Sequence, residues 1–387
     1  MKNNILRKAL AMGLAAMLLA GCGGSDGGQT DAPDTTGTPD SAPAAEENTE
    51  GGGEDSAEAN YLDSEPLRIA TMPHQMGITL YYADKMGLFE QAGINVEMSM
   101  FVGGAAINEA IGAGELDGAI SGLASVYALS NGLVKMVGEV DTAGTDCLMI
   151  RADSPIAAEK GNIEGKPEMY GSAEVLKGQD LICQVGQANQ FYFTKYLSQF
   201  GLTENDINFV NMEDAAGAQA FMSGEGDMIG TKMPYMYEML KDGGYIIAAS
   251  VGDATDILIK DCVIFTPEIL ETRREEVKIF LSVIYDINEQ FKADEALRAQ
   301  TINDFFAENG KEVVDEQVAY EMEHCMLFTK ETLCTDDYFM GDGMQSVADF
   351  YGTTGAIDPD RVDNVYKNYD SSLLSEVLGG EVKAFSK

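Results

Sequence analysis

Short apolar runs alternate with amphipathic stretches along most of this chain from Leu67 onward. The run "LRIATM" at 67–72 is typical of a buried strand, and "ITLYYADKMGLFEQAG", ending at Gly93, has helical periodicity. Strand-like and helix-like segments keep alternating through "VKMVGEV". Because strands joined by helices pair in parallel through right-handed crossovers, the pattern predicts an α/β fold.

The same order of elements starts again at "DLICQV", residues 180–185. The repetition extends to individual residues, since "YADKMGLFEQAGINVEM" parallels "YLSQFGLTENDINFVNM". Further along, "AIGAGELDGAI" at 110–120 parallels "AFMSGEGDMIG" at 220–230. The repeat predicts two similar α/β lobes.

Within the second pair of repeats, Gly114 and Gly224 follow a predicted helix, where a left-handed backbone is least costly for glycine. Asp117 and Asp227 then begin strands. Their place at a helix-to-strand turn, away from the strand ends that face a cleft, predicts an architectural role rather than a catalytic carboxylate pair.

The predicted lobes are discontinuous in sequence. We expect lobe 1 to comprise residues 65–152 and 252–387, with the C-terminal helices packed on it, and lobe 2 to comprise residues 153–251 with the hinge crossings. The 45% of hydrophobic residues provides enough apolar surface for two cores.

The N-terminus has the features of an export signal. A charged start with Lys2, Arg7 and Lys8 precedes an apolar stretch and then "LAGC", which resembles the lipobox of bacterial lipoproteins. We expect residues 1–21 to be a signal peptide and Cys22 to be lipidated; an ordinary secretory signal is the alternative. Residues 22–64 are rich in Gly, Ser, Pro and acids, so an acidic disordered tether is expected there.

Charge and cysteine content exclude several classes of function. A net charge of -39, with no basic run beyond the first eight residues, argues against binding nucleic acid. Cys147, Cys183 and Cys262 lie in apolar runs and are expected to be buried, whereas Cys325 and Cys334 could form a disulfide or remain free. With two histidines and no CxxC motif, neither a zinc site nor a cofactor is expected.

Ligands of open α/β sheets lie beyond the carboxyl ends of the strands, near helix N-termini. The loops at these positions are "MPHQMG", "FVGGAA", "SGLAS", "VGQANQ" and "GTKMP". Lys232 could pair with an anion or be merely solvated, His74 could bind a ligand or be an exposed loop residue, and Asn189 could cap a helix instead. The predicted ligand-binding residues are His74, Gln75, Gly103, Gly104, Gly122, Leu123, Gln187, Asn189, Lys232 and Met233.

These ordered motifs, covering most of residues 65–250, resemble the extracytoplasmic solute-binding proteins of ABC importers. The resemblance is to the branch that handles taurine, alkanesulfonates, nitrate and pyrimidine precursors of thiamine. It implies a bilobed, periplasmic-binding-protein-like fold of type II that closes on a small solute and delivers it to a permease and ATPase. A monomeric, lipid-anchored protein outside the cytoplasm is expected.

One departure from this family concerns the ligand. Many members have a Trp-Glu-Pro-like run after the third strand of the second lobe, whereas this chain has "TKMP" there and no tryptophan. Tyr81, Tyr192 or Tyr235 could replace the missing aromatic wall. A small anion is slightly favoured over an aromatic heterocycle, and a biosynthetic enzyme or a sensor subunit on the same fold remain alternative functions.

Overall fold

The computed structural model describes residues 60–185, 188–255 and 257–387. Within these ranges the strands form two five-stranded sheets, each covered by helices. This is the bilobed α/β fold predicted from the repeat. The predicted signal peptide, Cys22 and most of the predicted tether lie outside the described residues.

Lobe 1 begins with three parallel strands. β1 pairs with β2 on one side and with β3 on the other, so Ile69 lies opposite Met98 and Gly118. The elements are β1 (Leu67–Thr71), α1 (Ile78–Lys85), α2 (Leu88–Gln91), β2 (Val96–Met100), α3 (Gly104–Gly112), β3 (Gly118–Ser121), α4 (Ser125–Ser130) and β4 (Lys135–Thr142).

Lobe 2 repeats this arrangement, with β6 pairing in parallel with β7 and β8. Its elements are β5 (Cys147–Arg151), α5 (Ala173–Leu176), β6 (Asp180–Cys183), α6 (Ala188–Gln199), β7 (Asn208–Asn211), α7 (Asp214–Met222), β8 (Met228–Thr231), α8 (Tyr235–Asp242), β9 (Tyr245–Ser250) and α9 (Val251–Thr255).

Each sheet also contains one antiparallel strand that arrives from the other lobe. β10 (Lys260–Phe265) lies between β3 and β4, and β5 lies between β8 and β9. The prediction of parallel pairing is therefore right for the first three strands of each repeat and wrong for the fourth, because a crossing strand separates the fourth from the third.

The exchange of strands moves the predicted lobe boundary. β5 pairs with β8 and β9, so the chain passes into the second sheet before Cys147 rather than after residue 152. An apolar run such as "DCLMI" fits either sheet, and only the pairing assigns it. The start of lobe 1 moves too, since the N–H of Tyr61 donates to the Gly93 carbonyl at 2.7 Å, inside the predicted tether.

The C-terminal segment packs on lobe 1 and covers its sheet. The ring of Phe280 stacks on Phe89 at 5.3 Å and meets Phe265 edge-on. The helices are α10 (Pro267–Thr272), α11 (Arg274–Ala293), α12 (Glu295–Glu308), α13 (Asp315–His324), α14 (Lys330–Leu333), α15 (Asp342–Thr354), α16 (Asn364–Lys367) and α17 (Ser372–Leu378). None of the helices in the described ranges is long and apolar enough to cross a membrane.

The repeated Gly and Asp positions have equivalent backbone contacts in the two lobes. Gly114 and Gly224 both have positive φ, 76° and 102°. Asp117 accepts the backbone N–H of Arg68 in β1 at 2.9 Å, and Asp227 accepts that of Asp180 in β6 at 2.8 Å. Both aspartates thus fix the start of the first parallel strand of a lobe, in agreement with the architectural interpretation.

Candidate ligand-binding site

The two lobes enclose a small cavity of about 40 Å³ where the carboxyl ends of their strands face each other. Lobe 1 contributes the loop after β1, the turn before α3 and the end of β3, and lobe 2 contributes the start of α6 and the end of β8. The lining side chains include Met72, His74, Gln75, Met76, Val102, Gly103, Gly122, Leu123, Asp146, Gln184, Asn189, Tyr192, Lys232, Ile259 and Asp261.

The carboxylate of Asp214, the first residue of α7, links the two walls of this cavity. Its Oδ2 lies 3.3 Å from the Lys232 ammonium and 3.6 Å from Nε2 of His74. Its Oδ1 lies 3.5 Å from the Asn189 amide, which also donates to the Gly230 carbonyl at 3.2 Å. Since His74 belongs to lobe 1 and Asp214 to lobe 2, their contact spans the cleft.

These surroundings fix the charges of the two basic side chains. Burial, with the nearby charges of Lys232 and Lys311, lowers the pKa of His74 well below its ordinary value, so the imidazole is neutral. Burial alone would lower the pKa of Lys232, but Asp214 and Asp146 raise it above its usual value. Lys232 is therefore a cation with a carboxylate beside it.

Two further carboxylates of the cavity were not predicted. Burial raises the pKa of Asp146 to about 6, against the opposite effect of Lys232. Asp261, in β10, accepts the Gln75 side-chain amide at 3.2 Å. It also faces Asp141 across the β10–β4 pair, where burial and the neighbouring carboxyl raise the pKa of Asp141, so these two share a proton.

A signal for these aspartates is present in the sequence. Asp146 and Asp261 each directly precede a cysteine at the start of an otherwise apolar run, in "DCLMI" and "DCVIF". Both runs are the strands that cross between the lobes. An acid at the entry to a crossing strand therefore lies at the cleft, but the crossing itself is visible only in the sheet order.

The structure brings together most of the predicted ligand-binding residues. His74, buried rather than exposed in its loop, lies with six others along the cavity: Gln75, Gly103, Gly122, Leu123, Asn189 and Lys232. Gly104 begins α3 and does not line it, and Met233 packs in the core of lobe 2. Gln187 lies outside the described residues.

Of the three tyrosines considered as an aromatic wall, Tyr192 lines the cavity. Tyr81 instead packs edge-on against Phe305 in lobe 1. Tyr235 lies beside Lys311, whose ammonium is 5.3 Å from the ring centroid. The cavity thus has one tyrosine among its described lining residues, together with methionine and aliphatic side chains.

Two cavity glycines leave room for neighbouring polar groups. A Cβ on Gly103 would lie 3.2 Å from the Gln184 amide of lobe 2, and one on Gly122 would lie 3.0 Å from Oδ1 of Asp261 in the adjacent strand of lobe 1. Both distances are shorter than ordinary contacts. The absence of a side chain at Gly103 therefore allows the lobes to approach, and its absence at Gly122 leaves space for the Asp261 carboxyl.

The cysteines take no part in this cavity. Cys147, Cys183, Cys262 and Cys325 are buried, and no two cysteines are bonded among the described residues, which leaves Cys325 and Cys334 as free thiols. Burial raises the pKa of the buried thiols, which keeps them protonated. The described part of the chain also holds no cluster of three or more metal-ligating side chains.

Comparisons with known proteins agree with this architecture. A protein of Brachyspira hyodysenteriae, named as an ABC transporter periplasmic binding protein, is 25% identical over 317 residues, covering 82% of this chain and 90% of that protein. The alkanesulfonate-binding protein SsuA from Xanthomonas axonopodis pv. citri has a TM-score of 0.62 at 17% identity, covering 79% of this chain and 98% of the other.

The periplasmic nitrate-binding protein NrtA from Synechocystis PCC 6803 also has a TM-score of 0.62, at 12% identity, covering 81% of this chain and 88% of the other. At these identities, the two solved structures establish a shared fold. The profile of the family described as "NMT1/THI5 like" matches residues 76–286, more than half of the chain's 387 residues. The chain belongs to the NMT1/THI5-like family.

Proposed function

We propose that this protein is the solute-binding component of an ABC importer, which captures a small molecule between its lobes and delivers it to a membrane permease coupled to an ATPase. The cavity carries the proposal, because both lobes contribute to it and several of its buried polar atoms have no partner among the described residues. Buried polar atoms are normally hydrogen-bonded, so a bound solute accounts for them. The name of the Brachyspira relative supports the transport role.

Capture would proceed by closure of the lobes about the two crossing segments. These run from Thr142 to Cys147 and into β10 from α9. Because few segments connect the lobes, a hinge motion opens the cleft without disturbing either sheet. A solute that contacts both walls stabilises the closed state by its extra contacts there.

Scattering and thermal unfolding test this function together. A solute present at about 100 times its Kd should stabilise the protein by about 2.7 kcal/mol and reduce its radius of gyration. Asn189→Leu, on the cavity wall, should abolish both effects, whereas Asn208→Leu, exposed on β7, should not. Stabilisation by a solute without compaction, or compaction unaffected by Asn189→Leu, would contradict capture by closure.

We further propose an extracytoplasmic location, with a monomeric body held to a membrane by a lipid on Cys22. The "LAGC" run and the acidic stretch after it support this. Expressed in a bacterium, the wild-type protein should partition with membranes and gain the mass of a diacylglyceryl group, and Cys22→Ser should lose both. Sedimentation of the detergent-solubilised protein as a dimer would contradict the monomeric state.

Binding rather than catalysis is proposed because the described residues that line the cavity include no cysteine, serine or threonine nucleophile. The imidazole of His74 is neutral and its Nε2 faces Asp214, and the buried thiols are protonated. A solute bound during expression should be recovered chemically unchanged after denaturation. Recovery of a converted product would favour the enzyme alternative, and stable association with a signalling receptor rather than a permease would favour the sensor alternative.

A further inference from the structure

The cavity has more hydrogen-bond acceptors than donors. Four of its buried side chains carry a polar atom without a partner among the described residues: Asp146 Oδ1, Asn189 Oδ1, His74 Nδ1 and Tyr192 Oη. All four residues are at most 5% exposed. Water therefore does not solvate these atoms freely, and a bound molecule is left to satisfy them.

The chemistry of three of these atoms is fixed by their neighbours. The Asn189 amide nitrogen faces the Gly230 carbonyl, so its free atom is the oxygen, an acceptor. The Nε2 of neutral His74 faces Asp214, so this nitrogen carries the proton and Nδ1 accepts. An Asp146 carboxylate oxygen also only accepts. Tyr192 is the one member of the set that can donate.

An anion is poorly matched to such a site. Nitrate and simple alkanesulfonates have acceptors and no donors, so they would leave His74, Asn189 and Asp146 unpaired. The ammonium of Lys232, which could have received an anion, already lies 3.3 Å from Asp214. Asp146 also feels the charge of Lys232, but its Oδ1 has no hydrogen-bond partner among the described residues.

The second carboxylate of the wall adds to this field. Asp261 accepts from Gln75 and from Asp141, with which it shares a proton. Among the described residues, Lys311 is the other cation near Asp214, and its ammonium donates to the Pro73 carbonyl at 2.9 Å without lining the cavity. The cavity is therefore acidic as well as rich in acceptors.

We propose that the solute carries a compact nitrogen cation with several N–H donors, of the ammonium or amidinium class. Asp146, Asn189 and His74 accept its hydrogen bonds at the point where the chain crosses between the lobes. This inference rests on the solute-binding function proposed above and replaces the anion favoured by the sequence alone. Asp146 also ties the cation to the hinge, because its backbone carbonyl accepts the N–H of Val251 at the second crossing, 3.1 Å away.

The inference predicts the direction in which affinity changes with pH. Burial raises the pKa of Asp146 to about 6. The titratable groups that interact electrostatically with Asp146 are Lys232, Asp214, Asp261, Glu321, Cys147 and Tyr192. Lys232 remains charged and Cys147 and Tyr192 remain neutral throughout. Between pH 5 and 7.5, affinity for a permanent cation should rise about tenfold as Asp146 ionises, with any ionisation of Asp261 or Glu321 acting in the same direction.

Benzamidinium and benzoate provide a matched pair of probes, since they share a planar shape and differ in the sign of charge. We would titrate the purified full chain in detergent with both, together with agmatine, putrescine and tyramine as cations and with nitrate and ethanesulfonate as anions. At least one cation should bind, benzamidinium should bind at least about tenfold more tightly than benzoate, and the affinity for the cation should rise from pH 5 to pH 7.5.

Variants then locate the cation. Asp146→Asn should weaken binding of the cation at least about tenfold and remove its pH dependence, while Asp242→Asn, exposed at the end of α8, should change neither. Tyr192→Phe, which deletes one hydroxyl, should weaken binding but leave the pH dependence in place. This variant tests whether the cation binds in the cavity if Asp146→Asn does not fold.

The outcomes separate this inference from the function on which it rests. Binding of benzoate, nitrate or ethanesulfonate with no binding of any cation would overturn the cationic class and leave solute capture intact. Binding of a cation with no response to pH or to Asp146→Asn would overturn the assignment to this site. Failure of every probe would overturn the cationic class, and only the absence of ligand-dependent compaction would count against the proposed function.

Discussion

The carboxylate of Asp214 lies 3.3 Å from the ammonium of Lys232, and only 13% and 15% of the two side chains are exposed. The lysine that the sequence places at the cleft is thus paired within its own lobe. A charge held this way contributes to the positioning of α7 and of the end of β8 on the cavity wall, rather than presenting a free cation to the solute.

Replacement of Asp214 should therefore reduce stability. In Asp214→Asn the Lys232 ammonium loses its carboxylate in a largely buried place, and we expect the free energy of unfolding to fall by about 3 kcal/mol. Urea titration monitored by circular dichroism measures this loss. Glu308→Gln is the control, because its pair with Lys85 is 2.6 Å long but about half exposed on both sides, and screened pairs contribute little. Equal effects of the two substitutions would contradict the importance assigned to the buried pair.

Glu321 on α13 should make stability depend on pH. It is 1% exposed, and burial raises its pKa to about 7 although Cys325 and Arg298 act in the opposite direction. Between about pH 4.5 and pH 7 the folded protein holds a proton that the unfolded chain has released, so this group's contribution to stability falls as pH rises and is lost above the folded pKa. The loss amounts to about 3 kcal/mol for a shift of this size.

Glu321→Gln removes that contribution. Relative to wild type, the variant should gain stability progressively from pH 5 to pH 8, as measured by urea titrations at each pH. Glu323→Gln is the matched control, since Glu323 is exposed on the same helix. A difference between Glu321→Gln and wild type that stays constant over this range would show that the Glu321 carboxyl titrates normally.

The equivalent aspartates of the two lobes should affect stability without affecting binding. Asp117→Ala leaves the Arg68 N–H and guanidinium without their acceptor, at 2.9 Å and 2.6 Å, and should lower the free energy of unfolding by about 2 kcal/mol. Asp227→Ala removes an acceptor from a more exposed N–H and should lower it by about 1 kcal/mol. Calorimetry gives both quantities, and a loss of solute affinity with unchanged stability would reverse the architectural assignment.

Periodicity and internal repetition were sufficient to predict the fold class. Three strands of each lobe, the helices between them and the turns at Gly114 and Gly224 follow from local pattern, because each depends on a few neighbouring residues. The fourth strand of each repeat was assigned the right conformation and the wrong neighbour. Strand pairing is a property of segments distant in sequence, and β4 pairs with β10 more than a hundred residues away.

The residues of the candidate site likewise divide into those that the sequence predicted and those that only the folded structure places there. The strand-end rule selected His74, Gly103, Asn189 and Lys232, which line the cavity, because the position of a loop after a strand is readable from the order of elements. It missed Asp146 and Asp261, which come from the crossing strands rather than from loops after parallel strands. It also placed Met233 in the cleft, whereas the side chain of this residue turns into the core of lobe 2.

The sequence by itself determined two α/β lobes and the burial of Cys147, Cys183 and Cys262, and it predicted the strand ends as the place for a ligand, because periodicity and composition are local properties. The tertiary structure decided the charge of the cavity. In the folded chain, Lys232 is paired with Asp214, and Asp146 is buried with one oxygen that lacks a hydrogen-bond partner among the described residues. Both outcomes depend on which side chains the fold brings within a few ångströms and on how much water it removes from them.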